Sequence, residues 1–131
     1  MKMLILFFSL FASFAFAQVA PTNVKVPGND QYSMVSAWKL GTGQTGAAIQ
    51  MPGYTLKTVQ FSGTFGGSTV QLEGSNDGVN YVILRDKGSS SASLATSSAI
   101  MRAVLENPRY IRGTTSGGTS VSADVTLIMT R

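Results

Sequence analysis

The side chains with the reach to do chemistry gather in the middle of this sequence. Glu73, Asp77 and Asp86 lie close together along the chain, and Asn76 and Asn80 add further oxygen atoms. A hard cation such as Ca²⁺ takes about six to eight oxygen ligands of this kind. The spacing matches neither an EF-hand nor a related loop. Turn chemistry, in which Asn and Asp satisfy the loop's own backbone, is the simpler account. The chain has no Cys and no His, so thiolate chemistry, His-based triads and zincin sites are excluded. With six Asp and Glu in all, nothing singles out a carboxylate pair for glycoside hydrolysis. No catalytic residue, no cofactor and no metal ligand is assigned, and the expectation is a non-enzymatic protein.

Two further constellations point to binding. Trp38, Tyr54, Tyr81 and Tyr110 would make a stacking platform for sugar rings if they were exposed. Three of them sit in apolar strands, where core packing is the plainer reading. Tyr54 follows Pro52-Gly53 and is expected to be the most exposed of the four. Arg109 and Arg112 flank Tyr110-Ile111. On a strand edge such charges discourage unwanted pairing, and they also offer ion pairs to a neighbouring subunit. Tyr54, Arg109 and Arg112 are therefore the candidate partner contacts. Gly66-Gly67 and Gly117-Gly118 are turns and not phosphate loops, because no Gly-Lys-Ser/Thr follows either pair.

The elements that must position these groups read as strands. Around residues 63–86, Val70 and Leu72 alternate with Gln71 and Glu73, the period of a half-buried strand. Gly74, Ser75, Asn76, Asp77 and Gly78 reverse the chain, and the apolar run Tyr81-Val82-Ile83-Leu84 returns. Residues 32–40 form an earlier strand with Trp38 in the core. Residues 47–51 are short and apolar. Residues 57–65 put Val59, Phe61 and Phe65 on one face. Residues 86–96 are expected to be a Ser-rich loop, 99–105 a strand, 109–112 a compact strand and 114–119 a turn. In the last strand Val121, Ala123, Val125, Leu127 and Met129 share one face, with Ser122, Asp124, Thr126 and Thr130 on the other. About seven or eight short strands at this spacing predict a single antiparallel β-sandwich, jelly-roll-like, over residues 32–131.

The 131 residues suffice for one domain with a core large enough to fold without disulfides. The formal charge of +4 is spread thinly, so nucleic acid is not an expected partner. Residues 1–17 carry Lys2, then an apolar run, then Ala15-Phe16-Ala17, the layout of a secretory signal peptide. The same stretch also reads as a retained hydrophobic arm. Residues 18–31, with two prolines, read as an extended linker.

The segment Thr64-Phe65-Gly66-Gly67-Ser68-Thr69-Val70-Gln71-Leu72-Glu73-Gly74-Ser75-Asn76-Asp77-Gly78-Val79-Asn80-Tyr81 resembles one found in small structural proteins of tailed bacteriophages. Leu105-Glu106-Asn107-Pro108-Arg109-Tyr110-Ile111-Arg112 and Pro52-Gly53-Tyr54 fit the same group, and the likeness runs over about residues 32–131. The resemblance implies a virion protein of the head-decoration or cement type, binding major capsid or other virion subunits as a homotrimer. The residues around Asn76, together with Arg109-Tyr110-Ile111-Arg112, are also similar to discoidin-type, galactose-binding-like sandwiches. That second likeness implies a secreted or periplasmic module that binds carbohydrate or another surface, and it transfers no ligand residue.

The two readings of residues 1–17 differ in mass. Intact mass spectrometry of the protein from its native source is expected to return the full 131-residue chain if the segment is a working arm. A chain beginning at Gln18 would make it a leader and favour the secreted module.

Overall fold

The computed structural model describes residues 17–24, 33–51 and 53–131. The leader or arm, apart from Ala17, lies outside the described residues, as do Pro52 and the 25–31 part of the expected linker. The chain forms β1 (Thr22–Val24), β2 (Ser33–Leu40), β3 (Ile49–Gln50), β4 (Leu56–Thr64), β5 (Thr69–Ser75) and β6 (Val82–Ile83), followed by β7 (Arg85–Asp86), β8 (Ser89–Ser93), β9 (Ala95–Thr96), β10 (Ile100–Ala103), β11 (Tyr110–Ser116) and β12 (Ser122–Thr130). No helix occurs among the described residues. The fold is all-β, and every strand pairing is antiparallel.

One sheet has the order β1-β2-β12-β4-β10, and the other has β3-β11-β5-β6 with β9 also on β5. Leaving out β1, β9 and the separate β7-β8 hairpin, eight strands make up the two sheets. Among these the first pairs with the last, the second with the seventh, the third with the sixth and the fourth with the fifth. A long antiparallel hairpin of strands wrapped on itself produces this order, which is that of a jelly roll. Twelve strands form where seven or eight were expected; eight make this frame, and β1, β7, β8 and β9 are added to it.

The two sheets bury a shared core. Val59 and Phe61 of β4, Trp38 and Leu40 of β2, and Ala123, Val125, Leu127 and Met129 of β12 face Val70 and Leu72 of β5 and Ile111 of β11. The alternation on β12 is as the sequence pattern predicts, with Ile128 turned outward. Gly113 lets the sheets approach, since a Cβ there would lie 3.1 Å from a Val125 methyl. Gly46 is tighter still: a Cβ would lie 2.5 Å from the Trp38 indole. That indole is fully buried and donates its Nε1–H to the Ala47 carbonyl at 2.9 Å. Lys57 continues the inward row of β4 at its end, where its ammonium donates to Asn107 Oδ1. Burial lowers the Lys57 pKa, because the charged form loses solvation.

Several expectations change. Residues 86–96 are not a loop: β7 and β8 form a hairpin, and β9 adds to β5. The cause is Leu94, the one large apolar residue in a Ser-rich run. It is 1% exposed, its N–H donates to the Leu84 carbonyl, and its carbonyl accepts from the Leu72 N–H. Burying this side chain draws the excursion back onto the sheet. Thr114 and Thr115 belong to β11 and not to a turn, because Thr115 is held by Gly41 and Gln44. In the run 81–84 only Leu84 is buried, since Val82 and Ile83 sit on a sheet edge and are exposed. Within the expected linker, β1 pairs with β2, and Val19 bridges to Gly46.

Gly46→Ala forces a methyl group into the Trp38 ring. Overpacking of this kind costs about 1–3 kcal/mol. The variant is expected to unfold at lower denaturant with an unchanged m-value, measured by urea titration of tryptophan fluorescence.

Candidate functional site

On β5 the residues that face away from the core are Gln71 and Glu73, and on β11 they are Tyr110, Arg112 and Thr114. The register places Arg112 beside Glu73 and Thr114 beside Gln71. This outer face is therefore polar, and its groups are joined. Arg112 donates through Nε to Glu73 Oε2 at 2.9 Å, and Nη2 lies at the same distance from that oxygen. Gln71 Nε2 donates to the other carboxylate oxygen at 2.8 Å. The Arg112 guanidinium also stacks on Tyr81, with Cζ 3.7 Å from the ring centroid. Arg112 is thus fixed by an ion pair from one strand and an aromatic ring from the following loop. A planar guanidinium supports both contacts at once, which an ammonium cannot do.

The loop of residues 76–81 borders this face, and Asp77 organises it. Asp77 Oδ1 accepts from the Val79 N–H and the Asn80 N–H at 2.8 Å each and from the Ser75 hydroxyl at 2.7 Å. Asp77 Oδ2 accepts from Asn80 Nδ2 at 2.7 Å. The Asn80 side chain and the backbone N–H groups of Val79 and Asn80 therefore hold the Asp77 pKa far below the usual carboxylate range. Gly78 supplies the positive φ of +76° that the reversal needs, and it lies against the edge of the Tyr110 ring. Asn76 Oδ1 accepts from the Arg109 N–H at 3.2 Å, tying the loop to the start of β11.

Three clefts open here. A cavity of about 510 Å³ is lined by Gln18, Val79, Tyr81, Tyr110 and Arg112, among others. A second of about 630 Å³ adjoins it through Gln18 and Arg112 and runs along residues 42–45. A third of about 420 Å³ lies between the Asp77 loop and residues 106–108.

Of the three candidate contact residues, Arg112 alone lines these clefts. Arg112 is in the network, and the Arg109 guanidinium lies 5.4 Å from the Tyr110 ring centroid. Tyr54 is elsewhere. It is half-buried, as Tyr81 and Tyr110 are, packs against the core and lies under Arg131. Trp38 is core, and Tyr81 and Tyr110 are the half-buried pair that lines the cleft with Arg112. The acidic residues separate likewise: Glu73 belongs to Arg112, Asp77 to its loop, and Asp86 to Arg102 at 3.1 Å and the Gly88 N–H at 2.8 Å. Among the described residues no group of three or more Asp, Glu, His or Cys is placed to hold a metal. The partnership of Glu73 with Arg112 and the roles of Gln18 and Val79 had no signal in the sequence, because each depends on register or on a loop's path.

Asp77 gives a pH-dependent test. Its folded pKa lies below its unfolded value of about 3.9, so its stabilisation is complete above that value and is lost as pH falls toward the folded pKa. Asp77→Asn is expected to be less stable than the parent near pH 7. The difference should narrow below about pH 4, as read by urea unfolding of both proteins across that range.

Comparison with protein-family models, curated proteins and solved structures found no match to this chain.

Proposed function

We propose that this protein is a non-enzymatic structural subunit of a bacteriophage particle, of the decoration or cement kind, which binds other virion subunits and assembles as a homotrimer. The observation that carries this reading is the outer face of the β2-β12-β4-β10 sheet. Its outward positions are Thr58, Gln60, Ser62 and Thr64 on β4, with Ser122, Thr126 and Thr130 on β12, all uncharged. Lys39 and Asp124 are the charged pair among the outward positions of these strands, and they face each other across β2 and β12. Register puts Ile128 and Ala103 on either side of Thr58, with Met101 beside Gln60 and Leu56 beside Thr130. Leu56, Met101 and Ile128 are 55%, 54% and 44% exposed. A solvated antiparallel face is ordinarily charged or strongly polar. A face with a single cross-strand charge pair and three large apolar side chains around one threonine suits burial against a partner.

The sequence likeness to phage structural proteins names the partner class, and jelly rolls recur in capsid proteins. The mechanism is adhesion. Apolar area removed from water contributes roughly 25 cal/mol per Å² before the cost of association. Repetition over a symmetric shell turns modest contacts into avidity.

The test is recovery of the protein with particles banded by density-gradient centrifugation from its native source. The expected result is co-banding of the parent protein and its loss from the band for Ile128→Glu, with the variant's melting temperature unchanged because Ile128 is outside the core. Recovery of the parent solely as free protein in the medium would sink the reading. Sedimentation velocity of the released protein tests the trimer.

A further inference from the structure

We propose that the cleft over Tyr110, between the Asp77 loop and the chain at Gln18, binds a neutral saccharide. This goes beyond the docking role and does not rest on it, since the cleft is on the outer face of the opposite sheet.

The cleft measures about 510 Å³ and continues into the cavity of about 630 Å³ beyond Gln18 and Arg112. The first volume alone falls in the range of small-ligand sites, roughly 300–1,000 Å³, and the continuation gives room for more than one sugar ring. Its walls combine two kinds of surface. Tyr110 is a half-buried ring that offers an apolar surface and a phenol, and the C–H face of a pyranose packs on such rings; Tyr81, one face of which is covered by Arg112, adds its edge and phenol. The exposed Gln18 and the edge of Arg112 offer polar groups for hydroxyls.

Charge decides between a sugar and an anion. Arg112 is the cation that lines the cleft, and it is neutralised by Glu73 at 2.9 Å while it stacks on Tyr81. Asp77, also in the lining, is occupied by its own loop. Among the lining residues no charge is left uncompensated, and an anionic ligand would have to break an existing pair to gain one there; Arg109, on the Tyr110 ring at 5.4 Å, stands outside the lining. A neutral polyhydroxyl ligand gains hydrogen bonds without that cost.

The walls are also held before any ligand arrives. Val19 donates its N–H to the Thr45 carbonyl and accepts from the Ala47 N–H, anchoring the chain next to Gln18. The four hydrogen bonds of Asp77 hold Val79 at the rim. Ordering costs on binding are reduced where the site is already fixed.

The probe is a printed array of neutral and anionic oligosaccharides, read with the fluorescently labelled full-length protein and followed by titration of the neutral sugars retained. The expected result is retention of neutral glycans, with apparent affinity lowered tenfold or more by Tyr110→Leu and by Val79→Asp. Val79 is 79% exposed, so its variant tests the cleft with little risk to the fold, and melting curves check both proteins. Retention of no glycan, retention of anionic glycans alone, or binding that neither variant weakens would each overturn the proposal. Because none of these outcomes bears on particle association, the glycan site and the virion role stand or fall separately.

Discussion

The register of β12 is the constraint on which the rest of the molecule depends. This strand is hydrogen-bonded on both sides, to β2 and to β4, along its length. Its inward row of Ala123, Val125, Leu127 and Met129 is fully buried. A slip of one residue would turn Asp124 and Thr126 into the core and expose Val125 and Leu127. Each large buried side chain lost in that way costs on the order of 1.5–3 kcal/mol, so the alternatives are closed. Once β12 is set, Val125 meets Gly113 and fixes how closely β11 approaches. The alternation of β11 then presents Tyr110 and Arg112 to the opposite exterior.

A jelly roll made this way has two exteriors with different chemistry. On the β12 side, Thr, Ser and Gln surround Leu56, Met101 and Ile128, and charge is confined to one cross-strand pair. On the β11 side, Glu73, Arg112, Gln71 and Tyr81 form a connected polar and aromatic network. The two faces are separated by the core, so occupation of one leaves the other open. The loops contribute rigidity as much as contact: Asp77 spends its carboxylate on its own backbone, and Leu94 pins a serine-rich excursion that would otherwise have no reason to pack.

Much of this was open to reading along the chain. Period-2 alternation is a local property, so the strands at Val59–Phe61, Val70–Leu72 and Val121–Met129, the all-β class and the burial of Trp38 all follow from neighbouring residues. The reversal follows from Asp77 and Gly78 chemistry in the same way, although it begins after Ser75, because Gly74 and Ser75 belong to β5. The misreadings share a cause. Leu94 looked like one apolar residue in a loop, and Thr114 and Thr115 looked like turn residues, because their partners, Leu72 and Leu84 in one case and Gly41 and Gln44 in the other, are distant in sequence.

What the sequence by itself determined is therefore the strand content, the inward rows and the absence of His- and Cys-based chemistry, since these depend on residue type and on spacing of a few positions. Tertiary structure alone decided which strands are neighbours, which face of each sheet meets solvent, and that Arg112 is paired and stacked while Tyr54 is not beside it. Antiparallel pairing joins residues tens of positions apart, and local propensity carries no information about which residue will stand opposite. That choice is made by the shared core, whose burial favours one register over every other.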